Sequence, residues 1–205
     1  MKTVAAVLSA AIVVSAGAAF ACGNSMRFKA RRENVVAKAS KAYGSGNYAD
    51  AAAVVESALQ EFEDLSPADR RALLRTHGLA SLKLGNFEKS VTSFVALSDE
   101  TKEPFVQVKL AEARIRDALR TNQLNVTAKN VLEKLAADGL LADADAWVAL
   151  AHARRLEGDS TGAIAACDDA LKVHPGHPEA TQVMTTLSVP KAAPSKASVK
   201  PSSKS

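Results

Sequence analysis

Histidine and cysteine are the first residue types to consider as metal ligands or nucleophiles in this 205-residue chain, which has four histidines and two cysteines. His174 and His177 flank the dipeptide Pro175-Gly176. Two imidazoles at this spacing could contribute to a zinc site. Because no cysteine or further histidine stands nearby at ligand spacing, the sequence favours surface loop histidines and predicts neither a metal nor a cofactor.

Motifs that would position a catalytic group are missing from the sequence. It contains no H-E-x-x-H, G-x-x-x-x-G-K, G-x-S-x-G or C-x-x-C. His77 falls inside a predicted helix, where a packed side chain is expected, and Cys167 is expected to be a buried structural thiol. We therefore expect no catalytic residues, no small-molecule substrate and no enzyme. An accessory enzyme subunit remains an alternative, and it would require His77 or His152 beside a carboxylate in a closed pocket.

The composition favours closely packed helices, since 47% of the residues are hydrophobic but only 4% are aromatic. The formal net charge is +4, yet Lys2 and four lysines of the last fifteen residues supply more than this excess. Without those five lysines the rest of the chain is close to −1. A nucleic-acid-binding domain carries its positive charge on a folded face, so the charge distribution argues against nucleic acid as a partner.

The N-terminus has the pattern of a secretory signal peptide. Lys2 precedes a stretch, residues 3 to 19, that is almost entirely apolar or small, and "AFAC" at 19–22 places alanine at −3 and −1 of a cleavage site. We predict a signal peptide at 1–21, a linker at 22–31 and an exported protein of the periplasm or envelope. An uncleaved signal anchor stays open, because ~17 apolar residues are about the shortest run that spans a bilayer.

Cys22 directly follows this cleavage site. "AFAC" resembles the lipobox of bacterial lipoproteins, in which the cysteine after the cut carries the lipid. Ala19 is tolerated in that pattern, whereas Phe20 departs from the small residue preferred at −2. Two interpretations remain: Cys22 is lipidated and anchors the chain to a membrane, or the chain is secreted with an unmodified cysteine.

The C-terminal stretch 188–205 has three prolines, six serines, four lysines and no aromatic residue. It cannot bury enough apolar surface to offset its ordering entropy, so we predict a disordered tail at 189–205. The tail is either simply solvated or a basic arm that touches anionic lipid or wall polymer.

Turn signals recur at regular intervals between the two ends. They are "GSGNY" at 44–48, "LGNF" at 84–87, "TNQLN" at 121–125 and "EGDS" at 157–160. Gly46 to Gly85 is 39 residues, Gly85 to Asn122 is 37, and Asn122 to Gly158 is 36. This period predicts stacked helix–turn–helix units over a helical domain at 32–188.

The fourth unit resembles the tetratricopeptide repeat (TPR), whose pattern is W-x2-L-G-x2-Y, then A-x3-F, then P. The matching positions are Trp147, Leu150, Ala151, Arg154, Gly158, Ala163, Cys167, Ala170 and Pro175. Ala151, Arg154 and Cys167 replace the glycine, tyrosine and phenylalanine of the pattern. Small residues at 151, 163 and 170 would let neighbouring helices approach closely.

The other units match the same pattern to different degrees. Unit two has Leu74, Gly78, Gly85, Phe87 and Phe94, with Ser90 in place of the alanine, and unit one has Val35, Ala39, Gly46, Tyr48, Ala51, Val55 and Ala58. Unit three, about 105 to 137, is degenerate. The resemblance implies an all-α fold: a right-handed superhelical solenoid of about four TPR-like hairpins. An amphipathic helix at 177–189 is expected to cap its end.

In TPR proteins the first helix of each hairpin lines a concave groove that binds peptides. The resemblance assigns the groove to Val36, Ser40, Tyr43, Arg75, Leu79, Leu82, Lys83, Arg116, Arg120, Val148, His152 and Arg155. It implies a non-enzymatic adaptor or scaffold of the bacterial cell envelope that captures peptide segments of partner proteins. The alternatives are a membrane- or wall-surface tether acting through the basic tail, and an accessory subunit of an envelope enzyme.

Overall fold

The computed structural model describes residues 34–188, which form nine helices and no strand. The helices are α1 (residues 34–44), α2 (Tyr48–Glu61), α3 (Pro67–Lys83), α4 (Phe87–Glu100), α5 (Pro104–Leu119), α6 (Val126–Ala137), α7 (Ala144–Glu157), α8 (Ser160–Val173) and α9 (Pro178–Ser188). None of these helices is long and apolar enough to cross a membrane. The predicted all-α fold is confirmed. The predicted signal peptide, linker, lipidated cysteine and tail lie outside the described residues.

The same backbone turn closes four helices at the predicted positions. Gly46, Gly85, Asn122 and Gly158 have φ angles of 77°, 73°, 51° and 90°. In each case the amide of the next residue donates to the carbonyl oxygen five positions back, at 2.8–2.9 Å: Asn47 to Ala42, Asn86 to Ser81, Gln123 to Ala118, and Asp159 to Arg154. This left-handed helix ending favours glycine and tolerates asparagine, which explains the period of the sequence.

Side chains at the starts of several helices cap the first turn. The Ser66 hydroxyl accepts a hydrogen bond from the amide of Asp69 at 3.1 Å, and Pro67 occupies the first helical position of α3. Asn125 and Asp159 cap α6 and α8 in the same way. These side chains satisfy amides that the helix itself leaves without an acceptor.

The helices divide into two compact units, and the division falls after Asp117. In the first unit α3 packs against both α2 and α4. Gly78 allows this approach, because a Cβ atom at that position would lie 2.8 Å from the Phe94 ring. Ser90, which replaces the alanine of the repeat, donates its buried hydroxyl to the Gly78 carbonyl oxygen at 2.9 Å. The serine therefore keeps the small size that the close contact requires and adds a hydrogen bond.

In the second unit α7 packs against α6, α8 and α9, and α8 also packs against α9. The small residues Ala151, Ala163 and Ala170 are fully buried, as the packing argument requires. α9 buries Ala180 and Val183, whereas Gln182, Thr185 and Thr186 of the same helix are exposed, as is Thr181. This is the predicted capping helix, with one apolar and one polar face. The handedness of the superhelix stays a prediction.

Candidate functional site

The residues assigned to the groove are distributed over both units, and each set is a surface of its own unit. Val36, Ser40 and Tyr43 lie on α1; Arg75, Leu79, Leu82 and Lys83 lie on α3; Arg116 lies on α5. Ser40 and Lys83 are exposed, and the other six are partly buried. In the second unit Arg120 is exposed, His152 and Arg155 are partly buried, and Val148 is buried.

The assignment of Val148 to a binding groove is wrong, because its side chain is 0% exposed. Three other helices of the second unit pack on α7, so this position belongs to the core. His152 is 16% exposed, and its Nε2 lies 2.9 Å from Oε1 of Glu179. The pair joins α7 to the capping helix α9. His152 therefore contributes to the attachment of α9 as well as to the surface.

Arg75 contacts two other side chains at the surface of the first unit. Its guanidinium pairs with the Glu103 carboxylate and lies 4.7 Å from the centre of the Phe105 ring. Phe105 is 37% exposed, and it is the one exposed aromatic side chain among residues 34–188. Leu79 and Leu82, on the same helix as Arg75, are partly buried against the core beneath them. Sequence reasoning missed Phe105, because the residue after Pro104 starts a helix in the unit whose repeat pattern is degenerate.

His77 connects three helices of the first unit. Its Nδ1 lies 2.7 Å from Oγ of Ser93 on α4, and its Nε2 lies 3.1 Å from Oε1 of Glu56 on α2. Lys89 donates to the same Glu56 oxygen at 2.7 Å. The hydrogen bond from Lys89 and, next, that from His77 hold the pKa of Glu56 below its ordinary value. The expectation that His77 is a packed side chain is confirmed.

Serine, histidine and a carboxylate in contact can form a nucleophilic site, but this cluster lacks two requirements. Ser93 is 3% exposed and His77 is 8% exposed, so a substrate cannot reach the hydroxyl. The Ser93 hydroxyl donates its one hydrogen to the carbonyl oxygen of Lys89 at 3.1 Å, one turn earlier in α4, and therefore does not donate it to His77. The cluster therefore links α2, α3 and α4 through polar side-chain contacts. It gives no support to the accessory-enzyme alternative.

The prediction of two surface loop histidines is wrong for His177, which is only 8% exposed. Its Nδ1 accepts a hydrogen bond from the Ala180 amide at 3.3 Å, so its Nε2 carries the hydrogen that faces Oδ1 of Asp145 at 3.1 Å. His177 is buried because it caps the start of α9 and also contacts Asp145 of α7. The His174 ring is exposed and meets the His177 ring edge-on, 5.5 Å between centres. Among residues 34–188 no three histidines, cysteines or carboxylates are arranged to hold a metal ion.

Cys167 is a free thiol with no exposed surface, and the prediction of a buried structural cysteine is confirmed. Burial, and after it the negative charges of Asp168 and Glu179, raise the pKa of the thiol to about 11. At neutral pH the thiol is protonated and is therefore a poor nucleophile.

Comparison with known proteins identifies the fold. No family model and no curated protein matches the sequence. The solved structure of a MamA RS-1 ArsTM double mutant is similar to this chain, with 21% identity, a TM-score of 0.54, and coverage of 78% of this chain and 85% of that one. TTC0263, a thermophilic TPR protein of Thermus thermophilus, has 22% identity, a TM-score of 0.50, and coverage of 76% and 80%. Identities this low concern the fold alone, and the chain has the all-helical, TPR-like fold that its repeats predict.

Proposed function

We propose that this protein is a non-enzymatic adaptor of the bacterial cell envelope that captures peptide segments of partner proteins. The TPR-like fold supports this proposal, because stacked hairpins present the side chains of their first helices on one surface. The observation that carries it is the contact of Arg75 with the exposed Phe105 ring, and the same helix α3 also carries the partly buried Leu79 and Leu82. Aromatic and arginine side chains are enriched in protein-binding interfaces relative to the rest of a protein surface.

The chemistry of this surface indicates which peptides it would bind. A partly exposed aromatic ring and two leucines suit apolar anchors. The Arg75 guanidinium pairs with Glu103, and a carboxylate of a partner can replace Glu103 at this cation. We therefore propose an extended or helical peptide with hydrophobic anchors and at least one acidic residue.

The proposed location in the cell is supported by the signal-peptide pattern at residues 1–21 and by Cys22. We propose export, with either a lipid on Cys22 or simple secretion. Cell fractionation together with radiolabelled palmitate separates the two outcomes. A label that disappears in Cys22→Ala supports the lipid anchor, whereas an unlabelled, soluble envelope protein supports secretion. Deletion of 189–205 tests the tether alternative, because only a tether loses its position in the envelope when the tail is removed.

The binding surface is tested by crosslinking and recovery from envelope extract with paired variants. Arg75→Glu and Phe105→Ala remove the proposed contacts. Arg71→Glu is the matched control, because Arg71 lies one turn earlier on α3 and pairs with Glu100 at the surface. We expect the partners recovered by the wild type and by Arg71→Glu to be lost with Arg75→Glu and Phe105→Ala. Recovery of the same partners by all four proteins would contradict the assigned surface.

A further inference from the structure

The first unit carries a surface pocket of about 300 Å³ between α1 and the second half of α2. Val35, Val54, Ala58 and Phe62 supply its apolar lining, and Ser57 and Glu61 lie among them. Val35 and Val54 are only partly buried. In the second unit the corresponding helix pair, α7 and α8, is covered by α9.

The end of α2 beside this pocket is acidic. Glu61 is followed closely by Glu63 and Asp64, and all three are exposed, whereas Lys38 is the one cation among the lining residues. The last turn of a helix also carries the negative end of its dipole. An occupant of this pocket therefore needs an apolar group for its floor and positive charges for its edge.

The residues directly before α1 have this composition. Residues 26–33 are Met-Arg-Phe-Lys-Ala-Arg-Arg-Glu, with four cations, one acid and two large apolar side chains. They join α1 at Asn34, which itself lines the pocket. Because the segment is covalently held at the pocket, its effective concentration there is high.

We propose that residues 26–33 dock onto this pocket of their own chain. Phe28 packs against the apolar lining around Phe62, and Arg31 and Arg32 lie beside Glu61 and Asp64. The segment then covers the first hairpin in the way that α9 covers α8 in the second unit. The prediction of a linker at 22–31 stays a prediction, and the proposed docking concerns its last six residues together with residues 32 and 33. This inference concerns a surface without Arg75 or Phe105, and it holds whether or not the protein is an adaptor.

Disulfide trapping in the full chain tests the docking. In a Cys22→Ser background, Ala30→Cys, two residues after the anchor Phe28, is combined with Ser57→Cys in the pocket. The matched control combines it with Thr92→Cys, an exposed position on α4 that does not line the pocket. Under mild oxidation with copper–phenanthroline we expect the Ser57 pair to form an intramolecular disulfide at least about tenfold faster, as a tethered contact predicts, and expect urea to remove the difference. Equal rates for the two pairs overturn the proposal, and a predominance of disulfide-linked dimers overturns it in favour of a second copy as the occupant.

Charge reversal tests the assigned ion pairs. Arg31→Glu with Arg32→Glu should slow crosslinking of the Ser57 pair severalfold, and adding Glu61→Lys should restore most of the rate. The Thr92 pair measured in the same backgrounds reports any general change in folding or thiol reactivity. A crosslinking rate that responds to neither change overturns the electrostatic part of the proposal.

Discussion

Gly78 and Phe94 fix the distance between α3 and α4: a Cβ atom built on Gly78 meets three atoms of the Phe94 ring at 2.8–3.1 Å. Phe94 has no exposed surface, so its ring has little room to move aside. The glycine of the repeat is thus required by a neighbouring side chain rather than by its own backbone angles. Gly85, in contrast, needs its left-handed φ of 73° and has no atom near its missing Cβ.

Gly78→Ala should destabilise the protein. Alanine is the better helix former by about 1 kcal/mol, but overpacking a closed core costs roughly 1–3 kcal/mol, so we expect a net loss of about 1 kcal/mol. Urea unfolding followed by circular dichroism measures the change. Gly44→Ala is the control, since nothing lies within 4 Å of that site, and it should be neutral or slightly stabilising. Combining Gly78→Ala with Phe94→Leu should cost less than the sum of the two changes; simple additivity would contradict the contact.

His177→Ala should loosen the capping helix. The substitution removes the acceptor of the Ala180 amide and the bond to Asp145, and loss of a helix cap costs about 1 kcal/mol, in the range 0.5–2. Hydrogen exchange of the α9 amides should accelerate more than exchange in α3. His177→Asn, which can still accept from the amide, should recover part of the loss. His174→Ala, at an exposed position, serves as control, and an equal effect of the two alanine variants would refute the cap.

Cys167 should be nearly inert in the folded protein. With a pKa raised from 9.0 to about 11, the thiol has about 100-fold fewer thiolates at neutral pH than an ordinary cysteine. In the Cys22→Ser variant Cys167 is the one remaining thiol, and its reaction with Ellman's reagent should become fast only in denaturant. Because the unfolded thiol ionises first, the free energy of unfolding should also fall as the pH rises from about 9 to about 11. Rapid labelling of the native protein would contradict the burial of this residue.

Lys89→Met should raise the pKa of Glu56, since the hydrogen bond from Lys89 is the main cause of its lowering and His77 the second. Carboxyl NMR titration of the two proteins measures the difference. The lowered pKa means that Glu56 contributes stability above its ordinary pKa of 4.5 and that this contribution is lost as the pH falls through the lowered value. The Glu56 side chain is 42% exposed, so the stability change should be small. Lys172→Met, which removes a cation of the second unit, should leave the Glu56 titration unchanged.

The sequence predicted the fold more completely than it predicted the candidate site. The TPR resemblance assigned Arg75, Leu79 and His152 to a groove, and these side chains retain some exposure, because residue spacing fixes which side chains share a face of a helix. Their role in binding stays a prediction. Sequence reasoning failed for Val148, because three other helices of the second unit pack on α7. It failed for His177, because this residue hydrogen-bonds to Asp145 of α7 and to the Ala180 amide of α9. It also missed Phe105, because exposure there depends on how the start of α5 lies beside Arg75.

The sequence by itself determined the positions of the helices and the turns between them. Left-handed φ angles, helix caps and close helix approach each demand particular residues at particular spacings, and these are local requirements that a sequence displays directly. Only the tertiary structure decided which faces are covered, that His77 links Glu56 to Ser93, and that a pocket lies between α1 and α2. Burial depends on side chains that are distant in the chain, and no spacing along one helix specifies them.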